Sequence, residues 1–177
     1  MMINNIPSSI FILLLLTTLV DTTYLINQTC NNASMDDPNI DYNFCITAFR
    51  SAPSSLDANL TLLGLISINL VKHDVNSTTF LIKTLLENTK VDNCTKEELQ
   101  DCLQLYSNSV PTISEAARDY RAKRFDVANV KVSSIMDASN TCEDGFEDVG
   151  VTSPLTKQNN DTFQLSAIAL SIMNMLS

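Results

Sequence analysis

The amino-acid sequence predicts an all-α protein: an up-down-up-down four-helix bundle, preceded by an N-terminal helical hairpin and held by two disulfides. Two observations support this fold class. Apolar residues recur at alternating steps of four and three along two long segments, which is the heptad pattern of packed helices. The chain of 177 residues also has three glycines and no tryptophan, a composition that favours a helical domain over a β-sandwich.

The N terminus is typical of a secretory signal. Residues 10–20 form an apolar run that is too short to span a bilayer comfortably. We therefore predict a signal peptide at residues 1–23 and one mature domain at residues 24–177. The mature part begins with the hairpin, because residues 27–49 are short and turn-rich, with Asp, Asp, Pro and Asn in succession at residues 36–39.

Four long amphipathic segments follow a linker at residues 51–57. The first, residues 57–89, is expected to break near residues 76–77. The second opens with the capping-box sequence at residues 95–98, in which Thr95 would accept from the backbone, and Pro111 should bend it.

Apolar stripes identify the buried faces of the later segments. The second segment carries Leu99, Leu103, Tyr106, Val110, Ile113, Ala117 and Tyr120. The third carries Ala128, Val132, Ile135, Ser139, Cys142, Phe146 and Val149. The fourth carries Leu165, Ile168, Ile172 and Met175. Short loops between such helices predict antiparallel neighbours in one bundle.

The five cysteines can be paired partly from this geometry. The separation of Cys30 and Cys45 suits a bridge that clamps the hairpin. Cys94 and Cys102 are too far apart along one helix, about 12 Å at 1.5 Å per residue. Cys102 and Cys142 lie on the core sides of consecutive antiparallel helices and can meet. We predict these two pairs and leave Cys94 as a free thiol.

Glycosylation sequons agree with export through an oxidising compartment. Asn-x-Ser/Thr sequences begin at Asn27, Asn32, Asn59, Asn76, Asn93 and Asn160. We expect a secreted glycoprotein of the extracellular space.

The charge balance excludes some partners. The formal net charge is −9, which argues against nucleic acid or an anionic membrane, because phosphate binding requires clusters of Lys and Arg. An acidic surface is compatible with a basic protein partner.

A catalytic site is not expected, because the necessary residues are missing. His73 is the single histidine, and no cysteine or second histidine stands at zinc-ligand spacing beside it. The sequence also lacks a glycine-rich phosphate loop and a nucleophile elbow. We predict no catalytic residue, no metal and no cofactor.

Two charged clusters remain open to two interpretations each. The acidic cluster Glu143, Asp144, Glu147 and Asp148 is either a solvated face or a docking face for a basic partner. The basic cluster Arg118, Arg121, Lys123 and Arg124 either compensates the negative end of a helix or forms a contact loop. In the contact loop, Lys123, Arg124 and Phe125 would project together.

The cysteine spacing and the sequences around it resemble a known family. Residues 41–45, 101–106 and 141–146 carry the likeness, the last with the element Cys-Glu-Asp-Gly-Phe. They are similar to the plant invertase and pectin methylesterase inhibitor family over essentially the whole mature chain. Residues 128–131 and 153–157 resemble most closely the invertase-inhibitor subgroup that includes the plane-tree pollen allergen.

The resemblance implies a fold and a function. It implies the same bundle, hairpin and disulfides, and a one-to-one complex that blocks the active-site cleft of a cell-wall or vacuolar invertase, or of a pectin methylesterase. Invertase inhibitors of the family insert a Pro-Lys-Phe element, which aligns with Lys123, Arg124 and Phe125 here; Lys123 replaces the proline. Inhibitors of pectin methylesterase use the side of the second and third bundle helices, with Ser114, Arg118, Glu143 and Glu147 among the aligned residues.

The alternative from a different class of function is a protein that carries a small ligand. It would need a cavity of several hundred Å³ inside the bundle, whereas the seams carry space-filling Leu, Ile and Val. A structural or recognition protein without an enzyme target is a third reading.

Overall fold

The computed structural model describes residues 24–177, so the predicted signal peptide at residues 1–23 lies outside the described residues. All regular secondary structure in the described part of the chain is helical. The helices are α1 (24–36), α2 (Tyr42–Ser51), α3 (Leu60–Glu87), α4 (Asn93–Arg121), α5 (Phe125–Asp148) and α6 (Thr156–Leu176), with a 3-10 turn at Pro53–Asp57.

The four long helices form a closed ring of antiparallel neighbours. Helix α4 packs between α3 and α5, and α6 packs between α5 and α3. Helices α3 and α5 are therefore diagonal to each other. The hairpin α1–α2 covers the face formed by α3 and α6, where Ile26, Phe49 and Leu63 belong to one buried cluster. This arrangement leaves the α4–α5 face on the side of the bundle opposite the hairpin.

The predicted stripes supply most of the bundle core. Leu99, Tyr106 and Ile113 of α4 and Val132 and Ile135 of α5 are at most 1% exposed. They lie in one buried cluster with residues of α3 and α6. The stripe of α5 ends earlier than predicted, because Val149 is the C-cap residue and is 44% exposed.

Two predicted boundaries are wrong. Asp92, not Thr95, caps α4: its carboxylate accepts from the backbone N of Thr95 at 3.0 Å and from the Thr95 hydroxyl at 2.7 Å. Helix α3 does not break at Asn76 and Ser77, whose side chains donate to the carbonyls of Lys72 and His73 in the preceding turn. Helix α4 continues through Pro111, and the bend predicted there stays a prediction.

Both predicted disulfides are present. Cys30 and Cys45 join α1 to α2 with Cα atoms 5.7 Å apart, and Cys102 and Cys142 join α4 to α5 with Cα atoms 5.0 Å apart. All four half-cystines are buried. Cys94 is a free, exposed thiol in the first turn of α4.

None of the helices within residues 24–177 combines the length and the apolar composition needed to cross a bilayer.

Removing the α4–α5 disulfide should destabilise the bundle strongly. The bridge closes a loop with a sequence separation of 40, and loop-closure entropy for that length is about 4 kcal/mol. We expect Cys102→Ala/Cys142→Ala to lower the free energy of unfolding by about 3–4 kcal/mol. Urea denaturation monitored by circular dichroism measures this change, with Cys94→Ala as the control. An unchanged midpoint would contradict the contribution assigned to this bridge.

Candidate functional site: the basic turn between α4 and α5

The turn from α4 into α5 is a tight, fully hydrogen-bonded helix C terminus. Ala122 is the C-cap residue, Lys123 adopts a left-handed conformation with φ of 58°, and Arg124 follows. The backbone N of Lys123 donates to the carbonyl of Tyr120 at 2.9 Å, and that of Arg124 donates to the carbonyl of Asp119 at 2.9 Å. These two bonds define a Schellman motif.

Lysine at the left-handed position of this motif is unfavourable. Glycine is the usual residue there, because a Cβ atom is strained at positive φ. The C terminus of α5 closes with the same pair of hydrogen bonds, and there the left-handed residue is Gly150, with φ of 69°. Among residues 24–177, Lys123 is the one non-glycine residue with positive φ. Such strain is often retained at functional sites, which singles out the Lys123 side chain.

A buried carboxylate anchors the turn. Asp119 is 6% exposed. Its carboxylate accepts from the guanidinium of Arg124 and, through Oδ2, from Lys131 Nζ at 2.7 Å. Lys131 Nζ also donates to Glu115 Oε2 at 2.8 Å. Because Lys131 is hydrogen-bonded to both carboxylates, the pKa values of Asp119 and Glu115 are lowered and that of Lys131 is raised.

Of the three residues predicted to project together, Lys123 and Arg124 are exposed and Phe125 is half-buried. The guanidinium of Arg124 is hydrogen-bonded to Asp119, although the residue is exposed. Phe125 is half-buried, because its ring packs on Tyr120 with centroids 5.0 Å apart. The turn therefore exposes two cations, Lys123 and Arg124, while the Phe125 ring supports the turn from below by packing on Tyr120.

The residues that align with the contact residues of pectin methylesterase inhibitors lie on the same two helices: Ser114 and Arg118 on α4, and Glu143 and Glu147 on α5. Ser114 is half-buried and its hydroxyl donates to the carbonyl of Val110; Arg118 is exposed and pairs with Glu115 at 3.6 Å. Glu143 and Glu147 lie near the other end of α5, about 27 and 33 Å from its first residue, Phe125, at 1.5 Å per residue. Glu147 is exposed.

Glu143 does not belong to a solvated acidic face. Its carboxylate accepts from the Thr156 hydroxyl at 2.6 Å and from the side-chain amide of Asn159 at 2.7 Å, both on α6. It is half-buried, whereas Asp144, Glu147 and Asp148 are exposed. The prediction of a solvated face is therefore wrong for Glu143, because α6 packs against this side of α5.

A polar network inside the bundle escaped the sequence analysis. The Tyr106 hydroxyl donates to Asn159 Oδ1 at 2.8 Å, and the Thr162 hydroxyl donates to Asp74 Oδ2 at 2.6 Å and lies 3.2 Å from the Tyr106 oxygen. Together with Glu143, these groups connect all four long helices. Polar residues at α6 positions 159 and 162, one turn apart and in line with the apolar stripe, were the available signal.

Asp74 is the titratable centre of this network. Burial raises its pKa to about 6, against the lowering effect of the Thr162 hydrogen bond. The nearby Asp161 also raises it, while Lys157 and His73 lower it. A group in this state changes charge across mildly acidic pH.

The other predicted positions are on the surface. Asn27 is half-buried on α1, and the remaining sequon asparagines are exposed: Asn32, Asn59, Asn76, Asn93 and Asn160. His73 is exposed on α3. The described residues contain no cluster of three or more His, Cys, Asp or Glu side chains suited to holding a metal ion.

The fold and the turn define the class of protein: a disulfide-bonded helical bundle that presents a rigid basic loop. This architecture is suited to binding a protein surface. The model of the family described as plant invertase/pectin methylesterase inhibitor matches residues 24–172. The chain belongs to the plant invertase/pectin methylesterase inhibitor family, and the predicted family resemblance is confirmed.

Individual relatives cover nearly the whole chain. A Platanus acerifolia protein named "Putative invertase inhibitor" is 40% identical over 168 residues, which are 94% of this chain and 93% of that protein. A protein of the same name from Platanus orientalis is 39% identical over 153 residues, 86% of this chain and 89% of that one. The Arabidopsis thaliana "Cell wall / vacuolar inhibitor of fructosidase 2" is 29% identical over 129 residues, 73% of this chain and 68% of that protein.

Solved structures confirm the predicted fold. The crystal structure of a mutant form of a pectin methylesterase inhibitor from Arabidopsis matches with a TM-score of 0.69 and 20% sequence identity, over 80% of this chain and 96% of that one. At this identity the likeness concerns the fold alone. Family membership also confirms that the chain is an inhibitor and not an enzyme, so its partner is an enzyme.

The raised pKa of Asp74 predicts a pH-dependent stability. The folded state holds the Asp74 proton up to a pH of about 6, whereas the unfolded chain releases it near pH 3.9. The stabilisation from this proton is thus complete below about pH 4 and is lost as the pH rises through 6, a change of up to about 3 kcal/mol.

Asp74→Asn provides the measurement, because an amide accepts from Thr162 but does not titrate. We expect the difference in unfolding free energy between Asp74→Asn and the wild type to grow in favour of the variant between pH 4 and pH 7. Urea titrations at several pH values measure it, and the other carboxylates cancel in the difference. A difference independent of pH would show that Asp74 does not titrate in this window.

Proposed function

We propose that the chain is a secreted inhibitor of a plant invertase, which it binds one-to-one and whose active-site cleft it covers with the α4–α5 turn. The observation that supports this most directly is Lys123 in a left-handed conformation that would favour glycine. The strain is offset by the hydrogen bonds of the turn and by the Asp119 anchor. A rigid exposed loop binds with little loss of conformational entropy.

The packing of the bundle favours an inhibitor over a carrier. The seam residues are closely packed and nearly unexposed. A depression of about 600 Å³ lies on the outer face of α3, beside His73 and Phe80, and is open to solvent.

Invertase is the preferred target because of the relatives. The two Platanus proteins, named as invertase inhibitors, are about 40% identical over most of the chain. Pectin methylesterase is the second candidate. Its support is the similarity to Arabidopsis thaliana "Pectinesterase inhibitor 12", 31% identical over 80 residues.

Secretion to the cell wall or apoplast is part of the same proposal. Two buried disulfides form readily in an oxidising compartment. Exposed sequon asparagines on four of the helices or at their caps are compatible with passage through the glycosylation machinery. Residues 1–23 would serve as the signal peptide.

A paired inhibition assay tests the target. Purified, oxidised protein is titrated at mildly acidic pH against a cell-wall invertase and, in parallel, against a pectin methylesterase. We expect saturable inhibition of the invertase with an endpoint at one inhibitor per enzyme. Inhibition of the methylesterase alone would transfer the proposal to the second candidate, and inhibition of neither would overturn it.

Lys123→Gly separates binding from folding at the turn. Glycine relieves the positive-φ strain, so we expect a melting temperature equal to or above that of the wild type. Inhibition should weaken by about tenfold, corresponding to about 1.4 kcal/mol of binding energy, because one exposed cation of the contact is lost.

Lys90→Gly is the matched control for this variant. It removes the same charge from an exposed loop residue between α3 and α4, at the opposite end of the bundle. Wild-type inhibition by Lys123→Gly would exclude the turn as the contact. Replacing Arg124 or Phe125 is less informative, because each supports the fold through Asp119 or Tyr120.

A further inference from the structure

One of the sequons ends in a buried hydroxyl group that the fold does not use. Thr78 is the third residue of the sequon at residues 76–78 and is 1% exposed. Its hydroxyl has no hydrogen-bond partner within the part of the chain that the structure describes, whereas the hydroxyl of Thr79 beside it donates to the carbonyl of Val75 at 2.7 Å. A buried polar group without a partner lowers stability, so a valine of nearly the same shape would suit the folded protein better than Thr78.

The hydroxyls of three other sequons have structural roles. Ser34 donates to a backbone carbonyl of α1, Thr95 donates to the carboxylate that caps α4, and Thr162 donates to a buried carboxylate of α3. The Thr78 hydroxyl lacks such a role, but the glycosylation machinery requires it, because the Asn-x-Ser/Thr sequence is read on the unfolded chain before Thr78 becomes buried. Modification of Asn76 therefore explains a hydroxyl that folding does not.

An exposed phenylalanine lies one turn from Asn76 on the same face of α3. Phe80 is 73% exposed and follows the exposed Asn76 by four residues, so the two side chains are neighbours on the helix surface. Side chains on a helix lean towards its N terminus, which directs the Phe80 ring towards Asn76. Both residues line the open depression of about 600 Å³ on the outer face of α3. A depression of this volume accommodates a ligand of the size of a disaccharide.

The Asn76 amide can take a sugar and keep its contact with the helix. Its Nδ2 donates to the carbonyl of Lys72 at 2.7 Å, and an amide has a second hydrogen. In the transfer, Nδ2 attacks C1 of the first N-acetylglucosamine of a lipid-diphosphate-linked oligosaccharide. The N–C1 bond forms, the C1–O bond breaks, the lipid diphosphate leaves with the electron pair, and a base of the transferase takes one amide proton. The remaining N–H still donates to Lys72.

We propose that Asn76 carries an N-linked glycan whose first N-acetylglucosamine packs on the Phe80 ring and covers the outer face of α3. The sugar offers a face of C–H bonds to the ring, while its hydroxyl groups stay in water. The contact thus buries apolar surface without leaving a polar group unpaired. This inference goes beyond the inhibitory activity and is independent of the target enzyme. It rests on the proposed secretion, because the lipid-linked oligosaccharide is met on that route.

Occupancy of Asn76 is the first measurement. The full chain is expressed in a plant cell host, the secreted protein is digested, and each sequon peptide is analysed by mass spectrometry. We expect a glycan on Asn76 in the wild type and none in Thr78→Val. Secreted protein with glycans at other sequons and none at Asn76 would overturn the inference and leave the proposed secretion intact. A chain that stays inside the cell with every sequon bare would overturn both.

The contact with Phe80 is tested by combining two substitutions. Phe80→Ala should lower the melting temperature of the fully glycosylated protein by about 2–4 °C more than that of Thr78→Val, which lacks only the Asn76 glycan. Endoglycosidase trimming to the first N-acetylglucosamine should preserve this difference. Equal effects of Phe80→Ala in the two proteins would overturn the contact. In oxidised protein made without glycans, Thr78→Val should melt at or above the wild type, and a lower melting temperature would show that the hydroxyl has a structural role.

Asn93→Gln is the matched control for loss of a glycan. Its sequon lies in the first turn of α4, where the residues one turn further on, Lys96 and Glu97, are charged. We expect this variant to melt like the wild type and to show the same effect of Phe80→Ala. A second copy of the chain is the other occupant that the Phe80 ring could have. Concentration-dependent association of the glycosylated protein that Phe80→Ala abolishes would identify that occupant and overturn the inference.

Discussion

The molecule depends on the way α4 and α5 are fixed to each other at both ends. Near one end the Cys102–Cys142 disulfide joins them covalently. Near the other, the buried Asp119 carboxylate of α4 holds Lys131 of α5 and Arg124 of the turn. A buried carboxylate is costly unless it is paired and hydrogen-bonded, so Asp119 keeps these partners in place. Helices α4 and α5, with the turn between them, therefore form one rigid unit.

The hairpin α1–α2 packs on the opposite face of the bundle, which is formed by α3 and α6. Helices α3 and α6 bury apolar residues both towards α4 and α5 and towards α1 and α2. The hairpin helices α1 and α2 are short and would be only marginally stable alone. The Cys30–Cys45 disulfide and the burial of Phe49 compensate for this. Because the hairpin covers α3 and α6 in this way, α4 and α5 form the side of the bundle opposite the hairpin.

The interior polar network makes the bundle responsive to pH without exposing a functional group. Asp74, Thr162 and Tyr106 link three helices through hydroxyl groups that can rotate. A chain of this kind can satisfy Asp74 in either protonation state, so loss of its proton weakens the fold without breaking the network. Burial, rather than a charged neighbour, is the main cause of the shift.

The sequence by itself determined the helices, their buried stripes, both disulfides and the family, because these depend on spacing along one chain. Periodicity locates Leu99 or Ile135 in the core wherever the neighbouring helix lies. Helix caps were less predictable: Asp92 and Thr95 are both good N-cap residues, and the extra turn of α4 favours the earlier one.

The tertiary structure alone decided which polar residues are anchors and which are free. Residue type and position in the sequence do not distinguish Glu143, which is hydrogen-bonded to α6, from Glu147, which is exposed. They do not distinguish Arg124, held by Asp119, from Lys123, held in a left-handed conformation with its side chain exposed. The reason is physical: a side chain's partners come from other helices, and their position depends on how the whole bundle packs.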